Sequence, residues 1–226
     1  AQELEQQHDF LCAPIDDSGR GVRLYLYRKG VFLPNGEDFA RKVTHEMLRD
    51  FSADPKIDSV VRLIKESTKT DSTRLDTEAL DFINVRNGML DWRTGKLKPH
   101  SPEYRSTLRI NAKYRPNIMS QAVDRFLSDV FPKDALMLAE EILGLLLIPD
   151  SRYQKAFLFL GPGANGKSTF LNMVIKYLGS DNVSNISLQD LSDNRYRAAE
   201  LLGKLANIYA DIPNADLEKS DIFKAV

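Results

Sequence analysis

Three glycines, a lysine and two hydroxyls stand together in Gly161-Pro162-Gly163-Ala164-Asn165-Gly166-Lys167-Ser168-Thr169. The order fits G-x-x-x-x-G-K-[ST], a match expected by chance in roughly one chain in a hundred of this size at average residue frequencies. Glycines at these places let backbone N–H groups turn inward around a chain of phosphates. A helix that starts at the end of such a loop adds unpaired N–H groups and the positive end of its dipole. Lys167 then reaches the β- and γ-phosphates as a point charge, and the Ser168 hydroxyl ligates Mg²⁺. The nine residues therefore read as a site for ATP and Mg²⁺. The plain alternative is a glycine-rich strand–helix turn with no ligand, and the flanks weigh against it. Before the loop, Lys155-Ala156-Phe157-Leu158-Phe159-Leu160 has the form of a buried parallel strand. After it, Phe170, Leu171, Val174, Ile175 and Leu178 recur at helical spacing, and Gly179 is a stop signal.

A phosphate loop needs an acid at the end of a neighbouring strand, to hold Mg²⁺ or orient the attacking water. Asp211 is placed for that role, at the end of the apolar-rich run 204–211. A strand-end Asp that merely opens a turn toward Pro213-Asn214 is the competing explanation. Ala210 precedes Asp211 where tandem acids are common, so one carboxylate serves both tasks or another helps; Asp216, Glu218 and Asp221 are unranked candidates.

A second candidate surface is basic. Residues 82–115 carry Arg86, Arg93, Lys96, Lys98, Arg105, Arg109, Lys113 and Arg115 against only Asp91 and Glu103. With Tyr104 and Tyr114 nearby, the tract suits DNA, because cations neutralise phosphates and rings stack on bases. A solvated hairpin face is an equal alternative. The whole chain has a formal charge of −1, so global charge argues for no partner. His8, His45, His100 and the single Cys12 show no zinc spacing, and a lone cysteine forms no internal disulfide, in keeping with a reducing cytoplasm. The longest apolar run, residues 142–148, is too short to cross a bilayer. The chain opens at Ala1 without Met and stops at Val226 inside a helical pattern, as a fragment of a longer protein would.

These residues need elements to hold them. Residues 1–20 are polar and expected to be poorly ordered at first. Residues 22–27 and 31–33 form a hairpin around Lys29-Gly30. Asp38 caps a helix bearing Phe39, Val43, Met47, Leu48 and Phe51, and Pro55 opens another with Ile57, Val60, Val61 and Ile64 on one face. Residues 66–77 are a polar loop. A β-meander follows, through Asn87-Gly88 and Thr94-Gly95. Helices are then expected from Ser120, and over 135–147 as a largely buried one. Residues 183–186 read as a weak strand and 196–202 as a helix. The expected architecture is a mainly helical α+β module with β-hairpins over residues 1–118, followed over 119–226 by a partial three-layer P-loop α/β domain.

Taken together the motifs are familiar. Asn84-Val85-Arg86-Asn87-Gly88-Met89-Leu90-Asp91-Trp92, with Thr94-Gly95 and Leu97-Lys98-Pro99-His100, resembles the N-terminal module of phage and plasmid primase–helicases, a family related to the poxvirus replicative NTPase. Tyr114-Arg115-Pro116 is similar to the end of that module. Asn165-Gly166-Lys167-Ser168-Thr169 resembles the family's Walker A box, and Gly203-Lys204 through Asp211 its Walker B strand. The resemblance covers roughly residues 20–226. It implies a superfamily III DNA helicase with an AAA+-like core, working as a hexameric ring with ATP and Mg²⁺ on single-stranded or forked DNA. It further implies an upstream primase in many members and a bacterial, archaeal or viral-host cytoplasm. The DNA-contacting hairpin, sensor asparagine and arginine finger of the family would lie beyond Val226, so this chain is expected to bind ATP and hydrolyse it poorly alone. The contrasting function is a DNA-binding or assembly module with a structural nucleotide and no turnover. A GTPase is disfavoured by the lack of an Asn-Lys-x-Asp motif, and a small-molecule kinase by the lack of an acceptor site.

Overall fold

Val22-Arg23-Leu24-Tyr25-Leu26-Tyr27-Arg28 alternates between two faces, and it becomes the middle strand of a three-stranded antiparallel sheet. The computed structural model describes residues 1–15, 21–70, 75–76, 79–193, 197 and 199–210. The chain divides into two units, Ala1–Arg109 and Ile110–Val226.

In the first unit, β1 (Phe10–Pro14), β2 (Val22–Arg28) and β3 (Val31–Leu33) pair in that order, with Cys12 opposite Leu24 and Leu26 opposite Leu33. Lys29 and Gly30 make the tight turn between β2 and β3, both with positive φ (51° and 88°). The expectation of poor order before residue 20 is corrected here. Gln2–Gln7 is a helix, α1, and β1 is among the most buried strands of the unit. Its signal was the apolar Phe10-Leu11-Cys12-Ala13, too short to show a period.

Alternation sends one set of side chains to each face of the sheet. Phe10, Cys12, Leu24 and Leu26 pack with Leu4, Ala40, Val61 and Ile64 under α2 (Gly36–Leu48) and α3 (Asp54–Ser67). Leu11, Ala13, Tyr25 and Phe32 form a second cluster. Each fully buried aliphatic side chain contributes about 1.5–3 kcal/mol, so these clusters dominate the unit's stability. Pro55 stands in the first turn of α3, as the sequence suggests, and Ile57, Val61 and Ile64 face inward. Two details of α2 differ. Asn35, not Asp38, is its N-cap, so Asp38 lies in the first turn, where a carboxylate complements the dipole. Met47 points to solvent, because Ala40 and Thr44 carry the inner face, and Phe51 is exposed in a 3₁₀ turn past the end of the helix. Glu37 pairs with Lys65 and Arg41, and Arg41 with Asp58, which adds at most about 1 kcal/mol per exposed pair.

The second sheet of this unit, β4 (Phe82–Val85), β5 (Gly88–Asp91) and β6 (Leu97–Lys98), is the expected meander. Asp91 Oδ1 accepts the N–H groups of Arg93 (3.1 Å) and Thr94 (2.9 Å), which shapes the turn before β6. A buried polar junction joins the meander to the β2–β3 turn. The Asn84 amide donates to Gly30 O (2.8 Å) and Ser106 Oγ (3.1 Å). His100 Nε2 lies 3.2 Å from Asn84 Oδ1 and 2.8 Å from Val85 O. Both neighbours are oxygens, so Nε2 carries the proton and donates. The imidazole sits so close over Gly30 that a Cβ there would lie 2.5 Å from the ring. Asp76 adds a second tether: its carboxylate accepts the Thr107 N–H (2.7 Å) and hydroxyl, and its own N–H donates to Arg105 O (3.2 Å). Burial pushes the Asp76 carboxyl above its ordinary range, against the pull of those hydrogen bonds.

The second unit holds α4 (Gln121–Val130), α5 (Leu136–Leu145), α6 (Lys167–Leu178), β7 (Val183–Ser184), α7 (Leu188–Asp193) and β8 (Ala206–Asn207). The three-layer P-loop sheet is not found among the described residues. Residues 155–160 form no strand, and Leu158 and Leu160 are exposed. Within 204–210 the expected strand is described only as β8, and among the described residues it pairs in parallel with β7. A central parallel strand needs partners on its edges; among the described residues no strand pairs with residues 155–160. Nor is α5 largely buried: Ala139 and Ile142 face inward while Met137 and Leu138 face out. Of the helix expected over 196–202, Arg197 is α-helical and Ala199–Leu201 form a 3₁₀ turn where the segment is described. No helix among the described residues is long and apolar enough to cross a membrane. The chain is thus a mixed α/β protein of small, mostly antiparallel sheets and several helices.

The Asn84 junction is testable by denaturant unfolding. Truncation in Asn84→Ala leaves the Gly30 carbonyl, Ser106 and His100 short of a partner and is expected to cost about 1–3 kcal/mol. A loss within error would mean that the junction carries no stability.

Candidate nucleotide loop and basic sheet

The glycine loop is positioned from below by aromatic rings. Phe159 precedes it, Phe170 follows it, and both meet Phe131, which ends α4; ring centroids are 6.3 Å apart for Phe131–Phe159, 4.9 Å for Phe131–Phe170 and 5.3 Å for Phe159–Phe170. Phe170, Val174 and Leu178 form the buried face of α6, spaced as the sequence suggests. The rings hold both ends of the loop where a sheet strand was expected to. Sequence reasoning gave no role to Phe131 or Val130, since neither belongs to a pattern around the loop.

Gly166 caps α6 with φ 89°, and an added Cβ would lie 2.7 Å from Val130 Cγ2. Gly161 is constrained differently: a Cβ there would lie 2.2 Å from Asn165 Nδ2 and 3.7 Å from Lys167 Nζ. Gly163 has open space around it. The three glycines are therefore not equivalent: one supplies a left-handed turn, one a close approach, and one neither. Ala164 also adopts positive φ (59°), which tightens the bend.

Lys167 is the first residue of α6, and its ammonium folds back over the loop. It donates to Gly161 O (2.8 Å), Pro162 O (2.9 Å) and Asn165 Oδ1 (2.8 Å). Phe170 N–H bonds to Gly166 O (2.9 Å), so the N–H groups of Lys167, Ser168 and Thr169 precede the helical ladder and have no acceptor within it. Ser168 and Thr169 are exposed there. A half-buried ammonium, two free hydroxyls and a helix start with no carboxylate in its first turn gather beside one bend of backbone. That donor set fits an anion, and the Ser168 hydroxyl fits a hard cation carried with it. Asp211, Asp216, Glu218 and Asp221 lie outside the described residues.

The basic tract divides. Arg86, Arg93, Lys96, Lys98, Arg105 and Arg109 belong to the first unit, and Lys113 to the second. Arg93 pairs with Asp81 (2.9 Å) and lies 5.1 Å from the Trp92 ring centre. Lys98 Nζ stands 4.7 Å over Phe82. Arg105 reaches Thr70 (3.4 Å), and Arg109 donates to Lys29 O. Arg86, Lys96 and Lys113 are exposed. Among the described residues, no three His, Cys, Asp or Glu side chains are grouped to hold a metal.

A helix-covered antiparallel sheet, joined by buried polar contacts to a basic meander, defines the N-terminal unit as a mixed α/β module placed ahead of a glycine-loop segment. Residues 8–132 match the family model described as D5 N terminal like, which spans more than half of the chain. The protein belongs to the D5 N terminal like family, whose domain is found in phage and plasmid primase–helicase proteins. Residues 159–226, which begin at Phe159 and include the whole glycine loop, match a family of unknown function (DUF5906).

The inequality of the glycines can be read by thermal melting. Gly166→Ala is expected to destabilise by about 1–3 kcal/mol, from backbone conformation and overlap with Val130, and Gly161→Ala by less, because the Asn165 amide it meets is a side-chain end that can turn away. Gly163→Ala should leave the melting temperature within a degree or so of the parent, well inside the 4–8 °C that about 1 kcal/mol moves in a small domain. Three equal losses would refute the assignment.

Proposed function

We propose that residues 161–169 bind the phosphates of ATP together with Mg²⁺, and that the protein is the ATPase part of a replicative helicase acting on single-stranded or forked DNA. The observation that carries this is the Lys167 ammonium, held over a glycine bend at the unpaired start of α6. Membership of a family found in primase–helicase proteins supplies the replication context. In this account Lys167 turns from the loop oxygens to the β- and γ-phosphates, the N–H groups of residues 163–169 surround them, and Ser168 Oγ holds Mg²⁺. Asp211 is the proposed second metal and water ligand. Bound Mg²⁺ neutralises charge on the phosphates; the chain's own share is to orient them and to hold a cation against the γ-position. The kinship with superfamily III helicases and the poxvirus NTPase, an AAA+-like core, hexameric assembly and an upstream primase belong to the same proposal.

DNA is the proposed partner of the basic meander. Arg86 and Lys96 stand out from the sheet, and they supply charge that tracks a phosphate backbone.

Calorimetric titration of ATP and GTP, with and without Mg²⁺, tests the first proposal. ATP should bind in preference to GTP, and Lys167→Ala should weaken it at least about tenfold, or about 1.4 kcal/mol. Equal binding to parent and variant would refute it. For DNA, the salt dependence of binding to a single-stranded oligonucleotide is the measure. Arg86→Ala and Lys96→Ala should each flatten the logarithmic slope by about 0.7. An unchanged slope and affinity would remove DNA from the account of this sheet.

A further inference from the structure

The loop contains its own competitor for phosphate. Three oxygens hold the Lys167 ammonium, and two of them, on Gly161 and Pro162, are main-chain carbonyls that any residue would supply. The third, Asn165 Oδ1 at 2.8 Å, exists only because residue 165 is an asparagine. The other end of the same amide lies close to Gly161, where an added methyl would come within 2.2 Å of Nδ2. The amide is thus wedged between the first glycine and the lysine. Its carbonyl fills one of the three acceptor places around the ammonium.

From this geometry we infer that Asn165 is a positioning residue acting through Lys167: its amide oxygen stands in for a phosphate oxygen, keeps the ammonium on the loop, and is displaced when a polyphosphate enters. The inference rests on the phosphate-binding function proposed above. A neutral amide oxygen is the weaker acceptor, so a charged phosphate oxygen wins the ammonium. A carboxylate at the same place would not yield it, and would repel the incoming phosphates. The side chain at 165 therefore sets how readily the loop opens to its ligand.

The test has two readouts on the full chain. The first needs no ligand: the rate at which an amine-acylating reagent modifies Lys167, followed by peptide mass spectrometry. Asn165→Ala frees the ammonium from one acceptor and should raise that rate several-fold. The second is the affinity for MgATP and for inorganic triphosphate. Asn165→Ala should bind both about tenfold tighter, the low end of what one lost hydrogen bond to a charged group allows, and Asn165→Asp more than tenfold weaker. A merely structural role predicts weaker binding for both variants together with a lower melting temperature. Asn165→Ser, whose hydroxyl is too short to reach the ammonium, should behave as Asn165→Ala and serves if that variant does not fold. An unchanged acylation rate, or weaker binding by Asn165→Ala, overturns the inference. Equal triphosphate binding by the parent and Lys167→Ala overturns the phosphate reading itself. The ligand-free acylation rate tells that failure apart from failure of the amide contact.

Discussion

A lysine at the first position of a helix puts a positive charge at the positive end of a dipole, a placement that costs roughly 0.3–1 kcal/mol at an exposed site. The second unit is arranged around compensating that charge. No acidic side chain stands in the first turn of α6, so the loop itself must bring oxygen to the ammonium. It does so by bending until Gly161 O, Pro162 O and Asn165 Oδ1 converge on Nζ. The bend in turn dictates a residue without a side chain at 161, a left-handed residue at 166, and rigid anchors at both ends, which Phe159 and Phe170 supply against Phe131. Neutral carbonyls offset that charge only in part, which leaves room for the phosphate proposed above.

In the first unit the governing constraint is a buried amide. Asn84 is almost fully covered, and burying an amide without partners costs more than its hydrogen bonds return, so every polar atom near it must be placed. Gly30, Ser106, Val85 and His100 meet that requirement. Three of these residues, Asn84, Val85 and His100, lie within the stretch that carries the family resemblance. Their part is to lock the meander against the β2–β3 turn. The recognisable sequence of this module therefore marks a structural junction, and its cations occupy the edges of that junction rather than its centre.

What could be read from the sequence followed from how local each signal is. The turns at Lys29-Gly30, Asn87-Gly88 and Thr94-Gly95 were legible because a tight turn is fixed by two or three adjacent residues, and the strands beside them came with them. Pro55 marked the start of α3, and the spacing of Phe170, Val174 and Leu178 marked the inner face of α6. The loop's residue types were legible, but not the different jobs of its glycines, which depend on Val130 and on the Asn165 side chain. Strand β1 was missed because five residues are too few for periodicity. Residues 155–160 misled for the opposite reason: apolar content gives strand propensity, whereas a strand exists only where another offers its edge. Met47 was misassigned to the inner face of α2, which Ala40 and Thr44 carry, and Phe51 to the helix itself, which ends at Leu48.

Charge counted along the chain also overstates what the basic tract has to offer. The Arg93 guanidinium already lies beside Trp92 and Asp81, the Lys98 ammonium over Phe82, and Arg105 and Arg109 reach oxygens of Thr70 and Lys29. A cation–π contact is worth about 0.5–1 kcal/mol at an exposed site, comparable with one backbone phosphate contact, so such cations gain little by turning to DNA. The same contacts cover faces of Trp92 and Phe82, and Phe82 also packs against Tyr104, with ring centroids 5.0 Å apart. These rings are therefore poor platforms for bases. Within the proposed DNA contact, the meander contributes the field of its outward cations, Arg86 and Lys96, and not a stacking surface. In that proposal such a surface would hold a phosphate backbone without regard to sequence, since phosphate contacts position and do not specify.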